Sequence, residues 1–197
     1  KKKFKQLQTD LNVKKVLDVF IINSEIYLSF VSEGSTCDNF KIMRANLNEK
    51  KLNFKDFFNI DECGTVIQGG RMQYYSHNNQ DGLLFTTGDN FADSPNGKSQ
   101  ITNSIFGKVI FKAFNNDEYE MFSLGHRNPQ GLFVENDLIL MTEHGPKGGD
   151  EINKIIFNKN YGWPIASYGI EYDGSDPYKK SHKKYGFLEP FKNFSNS

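Results

Sequence analysis

Arg71-Met72-Gln73-Tyr74-Tyr75, then Asn78-Asn79-Gln80-Asp81-Gly82, then Leu83-Leu84-Phe85-Thr86 is the stretch that decides the fold. Two β-rich runs flank a cluster of turn residues, which is the pattern of a β-hairpin. The pattern occurs twice more. Residues 16–21 turn at Asn23-Ser24 into residues 26–30, and residues 130–134 turn at Glu135-Asn136-Asp137 into residues 138–142. Tyr27, Leu84 and Leu140 hold equivalent places, 57 and 56 residues apart.

Further strand-like sequence follows each hairpin: residues 40–44 and 52–57, then 106–111 and 119–122, then 151–156. Helical periodicity is almost absent. Four strands in a unit of about 50 residues is the period of a propeller blade. The fold class expected is therefore all-β, a β-propeller with about three blades in this chain. A ring closes with about four to eight blades, so the chain reads as part of a longer one whose cut faces would expose apolar area. The alternative is a complete β-sandwich with coincidental spacing.

Composition narrows the function. Over 197 residues, Lys plus Arg is 24 and Asp plus Glu is 24, so nothing draws the chain over long range to nucleic acid or an anionic membrane. The basic runs at Lys1–Lys5 and Lys179–Lys184 read as solvated segments. No run of about 18 apolar residues exists to span a bilayer. Only Arg44, Arg71 and Arg127 are arginine, which directs attention to sites where a planar fork matters. Cys37 and Cys63 lie 26 residues apart in polar, turn-like stretches. They read as a disulfide of an oxidising compartment, worth about 3 kcal/mol in the simple chain-entropy model, with two free thiols as the alternative. Asp173 and Asp176 read as a turn, or as a calcium loop.

The most specific segment runs through Gly125-His126-Arg127-Asn128-Pro129-Gln130-Gly131-Leu132, Thr142-Glu143-His144-Gly145-Pro146-Lys147-Gly148-Gly149-Asp150-Glu151-Ile152-Asn153, and Asn160-Tyr161-Gly162-Trp163-Pro164. A guanidinium beside a side-chain amide can grip carboxylates or a quinone oxygen. Carbonyls of a Gly-Pro turn near Asp150 and Glu151 suit a hard cation such as Ca2+. The bland reading is a loop in which Asp150 caps a turn and Arg127 pairs with a surface acid.

These three motifs resemble the soluble PQQ-dependent aldose sugar dehydrogenases, the glucose/sorbosone dehydrogenase family. Weaker matches continue upstream at Gly69-Gly70-Arg71-Met72, Thr87-Gly88-Asp89 and Gly107-Lys108-Val109. The resemblance implies a six-bladed propeller of which residues 1–197 form the middle, both ends incomplete. It implies PQQ and calcium as cofactors, a small-molecule sugar as substrate, and a periplasmic or secreted location. The electron acceptor has no signature in the sequence. By resemblance, Arg127 and Asn128 hold the quinone, Arg127 next to the reacting carbonyl. Gly145 and Pro146 give backbone carbonyls to a cofactor-bridging calcium. Glu151 and Tyr161 match ligands of a separate structural calcium. Trp163 packs, and its N–H needs a partner.

One departure matters. The resemblance implies a catalytic His two residues before Gly69, and that place is Ile67. Losing a general base costs about 10²–10⁴-fold in rate. If the register is right, the Ile67 side chain faces the cavity that Arg127 borders. Gln68, next to it, would point to the opposite face of a strand. His77 falls in a predicted turn and His182 in the Lys-rich run, so neither replaces the base. Two functions follow from the sequence: a sugar dehydrogenase that oxidises an aldose to its lactone by hydride transfer to the quinone, or a catalytically inactive binding propeller of the same family.

Overall fold

In the computed structural model, which describes residues 11–49, 51–90 and 97–194, the chain is nearly all β. Contacts divide it at Gly64 into two compact units. The run Lys1–Lys5 lies outside the described residues. Among those described, no helix is long and apolar enough to cross a membrane.

The first unit holds one antiparallel meander: β1 (Lys15–Ile22), β2 (Glu25–Ser32), β3 (Asp38–Asn46) and β4 (Lys55–Gly64). Asn23 and Ser24 both take positive φ in the first hairpin, the backbone that a tight turn between twisted strands requires. Tyr27 packs edge-on against Phe57 at 5.1 Å, and Phe40 against Phe58 at 6.0 Å. Cys37 and Cys63 form the expected disulfide, Cα atoms 5.6 Å apart. It ties the entry of β3 to the exit of β4, where Asn39 pairs with Cys63.

The second unit holds two sheets. One is β5 (Gly69–His77), β6 (Gln80–Thr87), β7 (Lys108–Ala113) and β8 (Tyr119–Leu124). The other is β9 (Pro129–Glu135), β10 (Leu138–Glu143) and β11 (Glu151–Lys154). The two-residue strands β12 (Lys159–Asn160) and β13 (Lys192–Asn193) add to β8 and β11 respectively. The third sheet thus takes its fourth strand from a segment 38 residues beyond β11 (192 − 154). Leu84, Val109, Phe111 and Phe122 of one sheet pack with Ile139 and Met141 of the other into one apolar core.

Tyr27, Leu84 and Leu140 each lie in the second strand of a sheet, as the repeat predicts. The three sheets are blades of a β-propeller, and the sandwich alternative falls. Some boundaries move. Asn78 and Asn79, both at positive φ, make the second turn alone, and Gln80–Gly82 belong to β6. The strand expected over 151–156 ends at Lys154. Residues 52–54 lie outside β4.

Candidate functional site

The site grows from the ends of the second sheet. Gly107 and Gly125 take positive φ there. A Cβ on Gly107 would meet Ser99 Cβ at 2.5 Å and the His126 carbonyl oxygen at 2.7 Å, so only glycine allows the approach. The loops are then laced by main-chain hydrogen bonds. Gly88 N–H donates to Gln68 O, Gly107 N–H to Gly88 O, His126 N–H to Gly107 O, and Asp89 N–H to Arg127 O. That lacing delivers His126, Arg127 and Asn128 to the mouth of β9.

On β10, Ile139, Met141 and Glu143 alternate onto the buried face. A register shift against β9 falls between Thr142 and Glu143 and lets Glu143 pair with Pro129. Glu143, 7% exposed, is the hub of the site. Its Oε1 accepts the Arg127 main-chain N–H. Its Oε2 lies 3.1 Å from His126 Nδ1 and 3.3 Å from Asn153 Nδ2. His126 is fully buried, its Nε2 2.8 Å from Ser123 Oγ and its ring 4.7 Å from Tyr161.

Arg127 is 6% exposed. Its Nη1 donates to His144 O at 3.1 Å and Gly145 O at 2.7 Å. Its guanidinium carbon sits 5.2 Å from the Trp163 ring centre, a cation–π arrangement. Trp163 Nε1–H donates to the buried Asp89 carboxylate, which also accepts Ser99 N–H at 3.0 Å. Burial pushes the Asp89 carboxyl above the usual range against the pull of these bonds. Arg71 likewise uses its fork on main chain, Nε donating to Gln130 O of β9 at 2.7 Å.

Asn128 is half-buried; its Oδ1 accepts Gln130 Nε2 at 2.5 Å and its carbonyl accepts His144 N–H. Gly145 N–H is capped by Asp150 Oδ1, so the bland turn-cap reading of Asp150 holds. Pro146 O accepts Gly149 N–H at 2.9 Å. The Tyr161 hydroxyl donates to Lys154 O and accepts Ile156 N–H, which commits it to structure. A cavity of about 10 Å³ brings Arg127, Gly145, Glu151, Tyr161 and Trp163 together. Glu143 and Glu151, with His144, also border a second cavity of about 430 Å³.

Glu151 is nearly buried, 11% exposed at its side chain. Burial first, and the Glu143 charge second, push its carboxyl up to about 8. Its contacts are Asn153 Nδ2 at 3.3 Å and His182 Nε2 at 3.8 Å. Asn153 Oδ1 is buried without a hydrogen-bond partner. His182, assigned from sequence to a solvated run, is 1% exposed, while the lysines around it are exposed as expected. Burial holds its imidazole below the usual range. Asp173 makes a turn, its Oδ1 accepting the Ser175 main-chain N–H and hydroxyl.

Ile67 is buried, 5% exposed, and is not among the residues lining the small cavity beside Arg127. Its neighbours anchor the segment to the loop after β6: Val66 N–H donates to Asn90 Oδ1, and Gln68 O accepts Gly88 N–H. Gln68 and the Arg127 carbonyl both crowd Gly88: a Cβ there would meet Gln68 Cβ at 3.0 Å and Arg127 O at 3.1 Å.

The donor set fits the implied groups. Around Glu151 the carboxylates of Glu151 and Glu143 and the orphaned Asn153 Oδ1 give oxygen donors with surplus negative charge, which suits calcium, beside the Asn153 and His182 nitrogens. No three His, Cys, Asp or Glu side chains among the described residues form a ready cage, so a cation would rely on main-chain carbonyls. The Gly145 and Pro146 carbonyls each accept one hydrogen bond and keep a second lone pair.

An uncharacterized protein of Synechocystis sp. is 29% identical over 197 aligned positions, 87% of this chain and 47% of that protein. Quinoprotein glucose dehydrogenase B of Acinetobacter calcoaceticus is 50% identical over 58 residues, 28% of this chain and 12% of that protein. A glucose dehydrogenase crystal structure superposes with a TM-score of 0.79 at 27% identity, covering 98% of this chain and 62% of that one. The chain thus spans about half or less of the curated relatives' length. The Glucose / Sorbosone dehydrogenase family profile matches residues 10–197, and with its three blades and the Arg127 site the chain belongs to that family.

Proposed function

We propose that this chain is part of a PQQ- and calcium-dependent sugar dehydrogenase that oxidises an aldose to its lactone. The observation that carries the reading is the Arg127 guanidinium, held by Trp163 against the His144 and Gly145 carbonyls beside a buried carboxylate pair. Arg127 and Asn128 would hold the quinone. Gly145 and Pro146 would give carbonyls to the bridging calcium. Glu151, with the Tyr161 carbonyl, would hold a structural one. Bound there, PQQ would supply the two-electron acceptor for the sugar's hydride, with calcium as Lewis acid. The Glu143 hub fixes the Arg127 backbone.

Residues 1–197 are, on this reading, part of one propeller domain incomplete at both ends. The apolar Phe133 and Leu138, 50% and 37% exposed on the third sheet, support it. The partner is a small-molecule sugar, with no nucleic acid involved. The location is periplasmic or secreted, where the Cys37–Cys63 bridge persists.

Ile67 favours a second reading, an inactive binding propeller of the same family. The test uses the full-length protein with PQQ and Ca2+, following the quinone absorbance with and without an aldose. Sugar-dependent reduction supports the dehydrogenase. Binding without reduction supports the inactive propeller. Absence of binding, or binding unchanged in Arg127→Lys, overturns the cofactor assignment.

A further inference from the structure

Arg71, Gln130 and Asn128 line up from β5 into the start of β9. The first turn of β5 is built irregularly around the arginine. Gly69 and Gly70 both take positive φ, and the register against β6 shifts between Gly69 and Met72. Such a shift re-aims a side chain. Arg71 N–H donates to Thr86 Oγ1 at 3.1 Å, and its Nε donates to the Gln130 carbonyl at 2.7 Å. Its Nη2 then lies 3.5 Å from Gln130 Oε1. Gln130 Nε2 in turn donates to Asn128 Oδ1 at 2.5 Å.

Two facing amides can pair in two ways. Either the glutamine donates to the asparagine, or both groups turn over and the asparagine donates. The contact between them does not choose. Arg71 does, because a guanidinium carries five N–H donors and no acceptor. Even at 3.5 Å its positive charge favours the Gln130 oxygen and repels the NH₂ group. With Oε1 turned to Arg71, Nε2 must face Asn128, and Asn128 must answer with Oδ1. Among the described residues, the side-chain hydrogen bonding of Asn128 runs through Oδ1 alone, which leaves Nδ2 to donate.

We propose that Arg71 and Gln130 are positioning residues that fix the polarity of the Asn128 amide, so that its NH₂ group is what a ligand meets. The ligand group it takes is an acceptor oxygen, carbonyl or carboxylate. The step from amide to quinone rests on the proposed placing of the cofactor beside Asn128. The amide polarity does not.

Polarity is read first, without cofactor, by neutron diffraction from the deuterated full-length protein. Deuterons are expected on the Gln130 atom that faces Asn128, and on the Asn128 atom that does not face Gln130. The reverse arrangement overturns the proposal. The effect on binding is read from the equilibrium affinity for PQQ in the presence of Ca2+. Gln130→Glu keeps an acceptor for Arg71 but offers Asn128 only acceptors, so the asparagine must turn over. Affinity should fall about tenfold, while the unfolding midpoint holds. A new negative charge would by itself weaken an anionic ligand, so the substitution is repeated in Asn128→Ala. Most of the loss should disappear there. An equal loss in both backgrounds, or a lower midpoint with unchanged affinity, overturns the proposal. Failure of the wild type to bind PQQ overturns the quinone reading, and the deuteron positions then decide the polarity alone.

Discussion

Glu143 holds Arg127 from the core side: one carboxylate oxygen accepts the Arg127 main-chain N–H while the other lies 3.1 Å from Nδ1 of His126. A single buried acid thus fixes two consecutive residues of the Gly125-His126-Arg127-Asn128 run. Glu143→Gln keeps the shape but has one acceptor oxygen, so an NH₂ group must face one of the two donors. The expected cost is about 1–3 kcal/mol. That corresponds to a midpoint fall of about 2–4 °C per kcal/mol at this chain size. Thermal unfolding checks it, and an unchanged midpoint would remove Glu143 from its place as the hub.

Asp89 and Trp163 give a pH readout. Trp163 is the sole tryptophan, and its indole N–H donates to the Asp89 carboxylate. Burial raises the Asp89 pKa above the ordinary carboxylate value of 3.8. The folded state therefore binds this proton more tightly than the unfolded state. Its contribution to stability is fully present below the unfolded pKa and is lost as pH rises through the folded one. Tryptophan fluorescence should titrate with a midpoint above the ordinary carboxylate range, and stability should fall across the same window. Asp89→Asn should abolish both changes. A midpoint at or below 3.8 would contradict the burial argument.

Much of this was legible in the residues, for identifiable physical reasons. Hairpins were readable because period-two apolar runs and Asn-rich turns report backbone geometry directly, as Asn23 and Asn78-Asn79 confirm. Glu143 was readable in principle: Ile139, Met141 and Glu143 share a face. A search for apolar alternation passes over an acid that ends it. His182 was not readable. It sits among lysines and becomes buried through contacts with Glu151 and Glu189 that only the fold creates. Strand β13 pairs two residues with β11 across a long irregular segment and carries no local signal.

Calcium should stabilise the chain through Glu151. That carboxylate has burial and a neighbouring Glu143 charge against it, and its contacts are the Asn153 amide and the His182 imidazole. A cation bound to the folded state alone adds RT ln(1 + [L]/Kd), about 2.7 kcal/mol at a hundredfold excess over Kd. Added Ca2+ should raise the unfolding midpoint, and a chelator should lower it again. Glu151→Gln should remove most of that response. An equal response in the variant would place the cation elsewhere.

The Cys37–Cys63 bridge closes a loop of 26 residues between the edges of β3 and β4. Its removal in Cys37→Ser/Cys63→Ser should cost about 3–4 kcal/mol in the chain-entropy model. The loss should appear in the unfolding of the first unit, with the Arg127 site of the second unit unaltered. Denaturant unfolding with and without reductant checks it. If reductant leaves wild-type stability unchanged while it demonstrably opens the bridge, the loop is already ordered in the unfolded state.

Ile67 decides between the two functional readings. Its assignment as the vacant base position rests on its place two residues before Gly69; its side chain is buried, 5% exposed. Ile67→His therefore asks whether the motif or the packing governs. If the motif governs, an imidazole restores the proton acceptor, and sugar-dependent reduction of bound quinone should rise about 10²–10⁴-fold over wild type. If the packing governs, the histidine is an unpaired polar group in the core and lowers stability by about 1–3 kcal/mol with no gain in rate. Running the rate and the unfolding midpoint on the same preparation separates the outcomes. A wild-type rate that already matches the histidine variant would mean that another residue near Arg127 takes the proton, and the inactive-propeller reading would fall.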